Sequence, residues 1–270
     1  MLGATVGLTN ATATFSQPPI GGFPLYHPSY AIDTNLVNDV GWGIFPQTGT
    51  RNAAVFETVE DVGFVDGSVI RVALHQLHLN PRHTLGRFRI SVTQSPRNQF
   101  ADGLPTGGSV NANWTALTPT RATSTNGTTL SILSDSCVLA SGLAPAQDVY
   151  FLEFETSLTL ITGFRIEVIP DNSLPGNGPG RAINGNFLLT EISAEILPRY
   201  PTLDIQVSEV QIKWDSSLNR VYQIQYSEPG TLDQWTNAAP VILGTGGILT
   251  YSDRTSAASQ RQYRVISRKP

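Results

Sequence analysis

In Arg87-Phe88-Arg89-Ile90-Ser91-Val92, the apolar residues Phe88, Ile90 and Val92 alternate with Arg87, Arg89 and Ser91. Successive side chains of a strand point to opposite faces, so this run predicts a strand with one face in a core and the other in water. Similar runs recur over 53–57, 69–75, 149–155 and 164–169, each set off by clusters of Gly, Pro and Asn. No stretch keeps a helical apolar period for three turns. Short strands spaced by turn residues therefore predict an all-β sandwich rather than a crossover α/β fold. The segments 95–129 and 170–186 are rich in Gly, Pro, Asn and Ser and poor in apolar residues. They read as long loops, the parts of a rigid sandwich that usually carry its function.

A second unit is predicted at Leu197-Pro198-Arg199-Tyr200-Pro201, where two prolines follow the strand-like run 191–196. Proline has no N–H to give a strand ladder and so punctuates it. The reading is a larger domain over 1–198 and a smaller one over 199–270. Within the smaller one, 205–214, 221–226, 248–251 and 262–266 alternate, with Trp214, Tyr222 and Tyr263 as candidate core aromatics. The runs Val210-Gln211-Ile212-Lys213-Trp214, Tyr222-Gln223-Ile224-Gln225-Tyr226-Ser227, Trp235-Thr236 and Gln262-Tyr263-Arg264-Val265 resemble the fibronectin type III-like modules of secreted bacterial proteins. That resemblance implies a small β-sandwich acting as a spacer or attachment unit.

Composition adds limits. The 24 Gly and 18 Pro interrupt helices, and only 14% of residues are charged. At 270 residues the chain suffices for one large sandwich and a small companion. A net charge of −4 with no run of Lys or Arg gives no footprint for nucleic acid, and polyanions are not expected partners. The single cysteine, Cys137, forms no intrachain disulfide and sits where a small apolar strand residue would do, which points to buried packing. No run approaches the ~18 apolar residues of a membrane span. Met1-Leu2-Gly3-Ala4-Thr5-Val6-Gly7 lacks the basic start and apolar stretch of a secretory signal, although the composition suits the cell exterior. The expectation is a piece of a secreted or cell-surface protein with further domains around it. Glycosylation triplets begin at Asn10, Asn113 and Asn126, a pattern common by chance.

Catalytic motifs are missing from the sequence. No Gly-x-Ser-x-Gly elbow, His-Glu-x-x-His helix, phosphate-binding glycine loop or Cys-His pairing occurs. His75 and His78 are an odd number apart, so a continuous strand would send them to opposite faces and prevent joint coordination. Glu153 and Glu155 take alternate strand positions and read as a solvated face.

Ala13-Thr14-Phe15-Ser16, Ala31-Ile32-Asp33, Gly41-Trp42, the stretch 83–91 from His83 and the glycine-rich stretch 175–187 together resemble a discoidin-type, galactose-binding-like jelly-roll domain. The resemblance spans nearly all of residues 10–197. It implies a jelly-roll β-sandwich that binds carbohydrate without catalysis. It also implies calcium (Ca2+) held between the loop after the Ala-x-Asp turn and a glutamate of the last strand. Asp33, Asn35, Asp39 and Glu191 are the expected metal ligands, with Asn38 offering a further oxygen; calcium takes about six to eight oxygens at roughly 2.3–2.6 Å. The resembled pattern carries Gly after the aspartate and Thr before the Trp segment, where this chain has Thr34 and Val40. Asp33 and Asn35 equally suit a turn held by side-chain bonds to their own backbone.

Sugar binding asks for a flat aromatic surface and planar polar groups that bond hydroxyls. Phe23, Tyr26, His27 and Tyr30 crowd one early loop, Trp42 and Phe45 follow, and Asn177, Arg181 and Asn184 lie in the late glycine-rich loop. The expected ligand-binding set is Phe45, Arg181, Asn184, His83, Trp42 and Tyr26, with core packing the alternative for Trp42. The function expected is a non-catalytic carbohydrate-binding module whose partner is a polysaccharide or glycan. An adhesion or assembly module would instead show an exposed apolar patch. A hydrolase would need a cleft with perturbed carboxylates.

Overall fold

The alternating runs form strands in the computed structural model, which describes residues 3–22, 24–36, 39–199, 209–228, 234–253 and 261–270. The chain divides into two compact units, Met1–Tyr200 and Pro201–Pro270. The larger unit holds β1 (Ala4–Val6), β2 (Leu8–Ala13), β3 (Asn52–Val62), β4 (Ser68–Gln76), β5 (Arg87–Thr93) and β6 (Trp114–Ala116). It continues with β7 (Pro119–Ser124), β8 (Thr128–Ile132), β9 (Val138–Gly142), β10 (Asp148–Thr156), β11 (Ile161–Val168) and β12 (Glu191–Pro198). Among the described residues its helical ones are confined to short 3-10 turns at Pro28–Ile32, Arg97–Gln99 and Pro175–Asn177. The predicted all-β class holds, and no helix among the described residues is long and apolar enough to cross a membrane.

These strands make two antiparallel sheets. One runs β1-β12-β4-β10-β7, the other β2-β3-β11-β5-β9-β8, with β6 also along β5. In β4, Ile70, Val72 and Leu74 are buried while Arg71 is exposed, the period of 2 that a half-buried strand requires. Tyr150, Leu152 and Phe154 of β10 repeat the pattern opposite them, and Phe88, Ile90, Phe164 and Ile166 supply the other sheet's share of one core. Phe88 of β5 stacks on Tyr150 of β10 with ring centroids 6.0 Å apart, tying the two sheets together. Burying a side chain of this size stabilises the fold by about 1.5–3 kcal/mol.

The predicted loop 95–129 is corrected in part, because it contains β6, β7 and the start of β8. These strands are mostly Thr, Ser and Ala, and their backbones pair with β5, β10 and β9 rather than burying an apolar face. The rest of that segment lies over the outer face of β3. There Val55, Phe100 and Ala101 form a second small core that Val110, Ala112 and Trp114 close. Cys137 is buried, as its context predicts. The chain start switches sheets: β1 pairs with β12 and β2 with β3.

In the smaller unit, β13 (Val210–Asp215) pairs with β17 (Ile248–Asp253). There β14 (Val221–Ser227) is flanked by β15 (Thr236–Asn237), β16 (Ile242–Leu243) and β18 (Gln262–Arg268). Its fully buried apolar residues are few: Val221, Tyr222 and Ile224 among those described. Trp214 packs at 6.0 Å from Tyr222, and Tyr263 is half-buried with its hydroxyl donating to Asp253. The predicted boundary residues Tyr200 and Pro201 and the run up to residue 208 lie outside the described residues.

Candidate functional site

Three segments distant in sequence meet beyond the strand ends of the larger unit: 41–47, 83–86 and 174–189. Trp42 and Leu189 exchange backbone hydrogen bonds of 2.9 Å in each direction. Gly86 and Arg87 donate to the Pro179 carbonyl at 2.6 and 2.9 Å, Arg181 to Thr84 at 2.8 Å, and Leu188 to His83 at 2.9 Å. Glycine permits this closeness: a Cβ on Gly180 would collide with the carbonyl of Asn186, and one on Gly41 with that of Leu189. Asn186, which sequence reasoning passed over as a site residue, is buried and joins two segments. Its Oδ1 accepts from Ile44 N at 3.2 Å, and its Nδ2 donates to Gln17 Oε1 at 2.8 Å.

The predicted ligand residues separate on this scaffold. Phe45 is 36% exposed on the segment that Asn186 anchors. Asn184 is exposed on the neighbouring loop and accepts from Asn186 N at 3.1 Å. Trp42 is corrected: it is wholly buried, meets Phe187 edge-on at 5.2 Å and donates its indole N–H to Phe15 O at 3.0 Å. It is a core residue with no ring face for a sugar. Tyr26 is buried too, and burial pushes its hydroxyl pKa up. Arg181 is likewise withdrawn, because its guanidinium donates to Leu143 O (2.6 Å), Gly142 O (2.8 Å) and Thr128 Oγ1 (3.3 Å). It holds the late loop to the end of β9. His83 is half-buried, edge-on to His78 at 5.5 Å, and burial followed by the charge of His78 lowers its pKa. The strand-parity argument for His78 fails because β4 ends at Gln76; His78 contacts Asp39 instead. Phe23 and Asn38 lie outside the described residues.

The expected metal ligands assemble only in part. Glu191 is 5% exposed, and its Oε2 accepts from Thr34 N at 3.2 Å. Burial pushes its pKa up to about 7, the Thr34 N–H opposes this, and the nearby Asp33 carboxylate adds to it. Asp33 accepts from Asn35 N at 2.9 Å, the turn-holding alternative. Asp39 is drawn off by Leu79 N at 2.7 Å and by His78. Among the described residues no group of three His, Cys, Asp or Glu is placed to hold a metal ion. Glu191 and Asp33 are thus brought together while Asp39 is held elsewhere, so the four predicted side chains do not assemble as one set. Thr34 takes the place of the glycine in the resembled pattern, and its φ of +63° is a conformation glycine reaches freely. An open cleft of about 480 Å³ is lined by Asn10, His27, Ser29, Ile32, Asp33 and Gly103.

Two polar clusters escaped sequence reasoning. Asp148 is fully buried and accepts from Thr128 Oγ1 (2.6 Å), Ser124 Oγ (2.7 Å), Thr125 Oγ1 (3.1 Å) and Asn126 N (3.1 Å). The hydroxyl-rich run Ser124-Thr125-Asn126-Gly127-Thr128 is the sequence signal for such an acceptor. On the outer face of the other sheet, Glu167 receives Arg89 at 2.9 Å, Arg165 at 3.0 Å and Arg51. Burial, and then Arg89 and Arg51, pull the Arg165 pKa down, while Glu167 opposes them.

No family model matches the chain, and no curated protein matches it.

Proposed function

We propose that the larger unit is a non-catalytic carbohydrate-binding module of jelly-roll type, holding a glycan on the loops that carry Phe45 and Asn184. The smaller unit is read as a fibronectin III-like spacer, and the whole as part of a secreted or cell-surface protein. One observation carries the reading: Phe45 presents an exposed aromatic ring just after a backbone stretch fixed by Leu189 at Trp42 and by Asn186 at Ile44, and followed by the turn that Gln47 N closes onto Ile44 O. A ring held in place stacks on a pyranose with little ordering cost, and the exposed Asn184 amide, whose Oδ1 holds Asn186 N, has its Nδ2 to donate to hydroxyls. The non-catalytic half is supported by Glu191, whose carboxyl pKa burial pushes up to about 7: it is buried and is not among the residues that line the open cleft. The donor geometry gives no reason to route the proposal through a metal.

A glycan array followed by titration of the best ligand tests it. A single shallow site is expected to bind at millimolar to micromolar levels, about −4 to −8 kcal/mol. Phe45→Ala should remove roughly 1–2 kcal/mol of that and leave the melting temperature unchanged. Arg181→Ala should do the reverse, lowering stability first. Wild-type affinity in Phe45→Ala for an identified glycan would overturn the loop site.

A further inference from the structure

Glu167 of β11 has Arg89 opposite it on β5 and Ala53 opposite it on β3. Arg165 stands two residues earlier on the same outer face, between Ser91 and Val55. Arg51 enters from the residue before β3. One carboxylate thus faces three guanidinium groups. The adjoining Arg87 is held by Asp135 at 2.7 Å and Asp171 at 3.3 Å, and Arg89 Nη1 also donates to Asp135 O at 3.3 Å, so four guanidinium groups (Arg51, Arg87, Arg89, Arg165) meet three carboxylates (Glu167, Asp135, Asp171) and one positive charge is left over. Donors exceed acceptors here: Arg165 Nε and Ser91 Oγ are buried with no hydrogen-bond partner. The side chains of Arg89 and Arg165 are 21% and 19% exposed, so their charges are partly out of water, while Arg51 at 52% reaches into it. The Trp114 ring lies 5.0 Å from the Arg165 guanidinium and walls one flank.

Guanidinium groups held in fixed orientation, with more positive charge than their carboxylate cancels, are a receptor for a planar or tetrahedral oxyanion. We propose that this cluster binds the carboxylate or sulfate group of an acidic glycan. The inference rests on the carbohydrate reading for the identity of the carrier. The two places are close along the chain: Phe45 and Arg51 are joined by so short a segment that they lie at most roughly 20 Å apart, and turns at Gln47 and Thr50 shorten it further. A span of that order is within the length of one short oligosaccharide. The net charge of −4 had set polyanions aside, but it averages over the chain and hides a local cationic surface.

The test titrates the full chain with an oligogalacturonide, a sulfated dextran oligomer and a neutral dextran oligomer, at low and moderate salt. The expectation is tighter binding of at least one acidic oligomer than of the neutral one, weakened by salt. Arg51→Gln and Arg89→Gln should each weaken the acidic ligand at least tenfold and leave the neutral one unchanged. Which acidic oligomer responds tells carboxylate from sulfate. Melting curves with added sodium sulfate supply a readout independent of any glycan: sulfate should raise the melting temperature of Glu167→Gln more than that of the wild type. If acidic ligands bind and Phe45→Ala weakens them while both arginine variants are silent, the cluster is an internal salt-bridge network and the inference falls, with the carbohydrate reading intact. Arginine dependence with a silent Phe45→Ala sinks the loop site instead. No retention of any oligomer by the wild type sinks both.

Discussion

Glu167 and Glu191 are each 5% exposed, and each sits at an outward-facing strand position, one on either sheet of the same sandwich. Their surroundings are opposite. Glu167 is ringed by Arg51, Arg89 and Arg165, whereas the charge that bears on Glu191 is a second carboxylate, Asp33. Equal burial therefore has unequal consequences, because what burial costs a charge depends on the charges buried with it. Around Glu167 the local surplus is positive and calls for an anion. Around Glu191 it is negative, and near neutral pH a proton answers it.

The comparison breaks most visibly at Glu167. Glu167→Ala leaves three guanidinium groups without their carboxylate, and the expected loss is about 3–5 kcal/mol in denaturant unfolding of the larger unit. A loss under about 1 kcal/mol would mean that water already screens the cluster. Glu191 is expected to behave with the opposite sign. Its folded pKa of about 7 lies above the ordinary 4.5. Its contribution is therefore fully present below about pH 4.5 and is lost as pH rises through 7. Glu191→Gln should stabilise the protein at pH 8 by up to about 3 kcal/mol, leave it unchanged near pH 4, and flatten the melting profile between. A wild-type profile already flat over that range would show that Glu191 titrates normally.

Smaller effects sharpen the contrast. Thr34 gives its N–H to Glu191 from a left-handed backbone, so Thr34→Gly keeps the bond and relieves the strain, a gain on the order of 1 kcal/mol by thermal melt. Arg51 is the most exposed of the three arginines, and Arg51→Gln should change stability by less than about 1 kcal/mol. That makes it the cleanest variant for separating binding from folding.

Most of the frame was legible. Phe88, Ile90 and Val92 mark a core strand because each contributes apolar area at a period of 2, and the same holds for β4, β10 and β11. β7 and β8 were not legible, since Thr, Ser and Arg positions there gain their strand state from neighbouring backbones. Of the candidate site, Phe45 and Asn184 lie at the surface as a loop reading implies. Trp42 and Arg181 share the loops of Phe45 and Asn184, yet the pairing of Trp42 with Leu189 turns the first inward and the Gly142 and Leu143 carbonyls hold the second; Tyr26, in the earlier loop, is buried as well. Which way a loop side chain faces is set by contacts far away in sequence. Glu167 was hidden for a similar reason: its arginines come from positions 51, 89 and 165, and no local window contains them.

The sheet switch at the chain start bears on how the larger unit assembles. Ala4 lies opposite Ile196, so the edge strand β1 finds its place only against β12, the last strand of the unit to be synthesised. β2, a few residues on, docks on β3 at the edge of the other sheet. One short ribbon thus lies at an edge of each sheet, and its first strand finds its partner across nearly the full length of the unit. Contacts so distant in sequence slow folding, because the chain must be closed into a large loop before they repay it. Until that happens the edge of β12 stands open, and it is in this interval that the nascent chain is most exposed to strand addition from its neighbours.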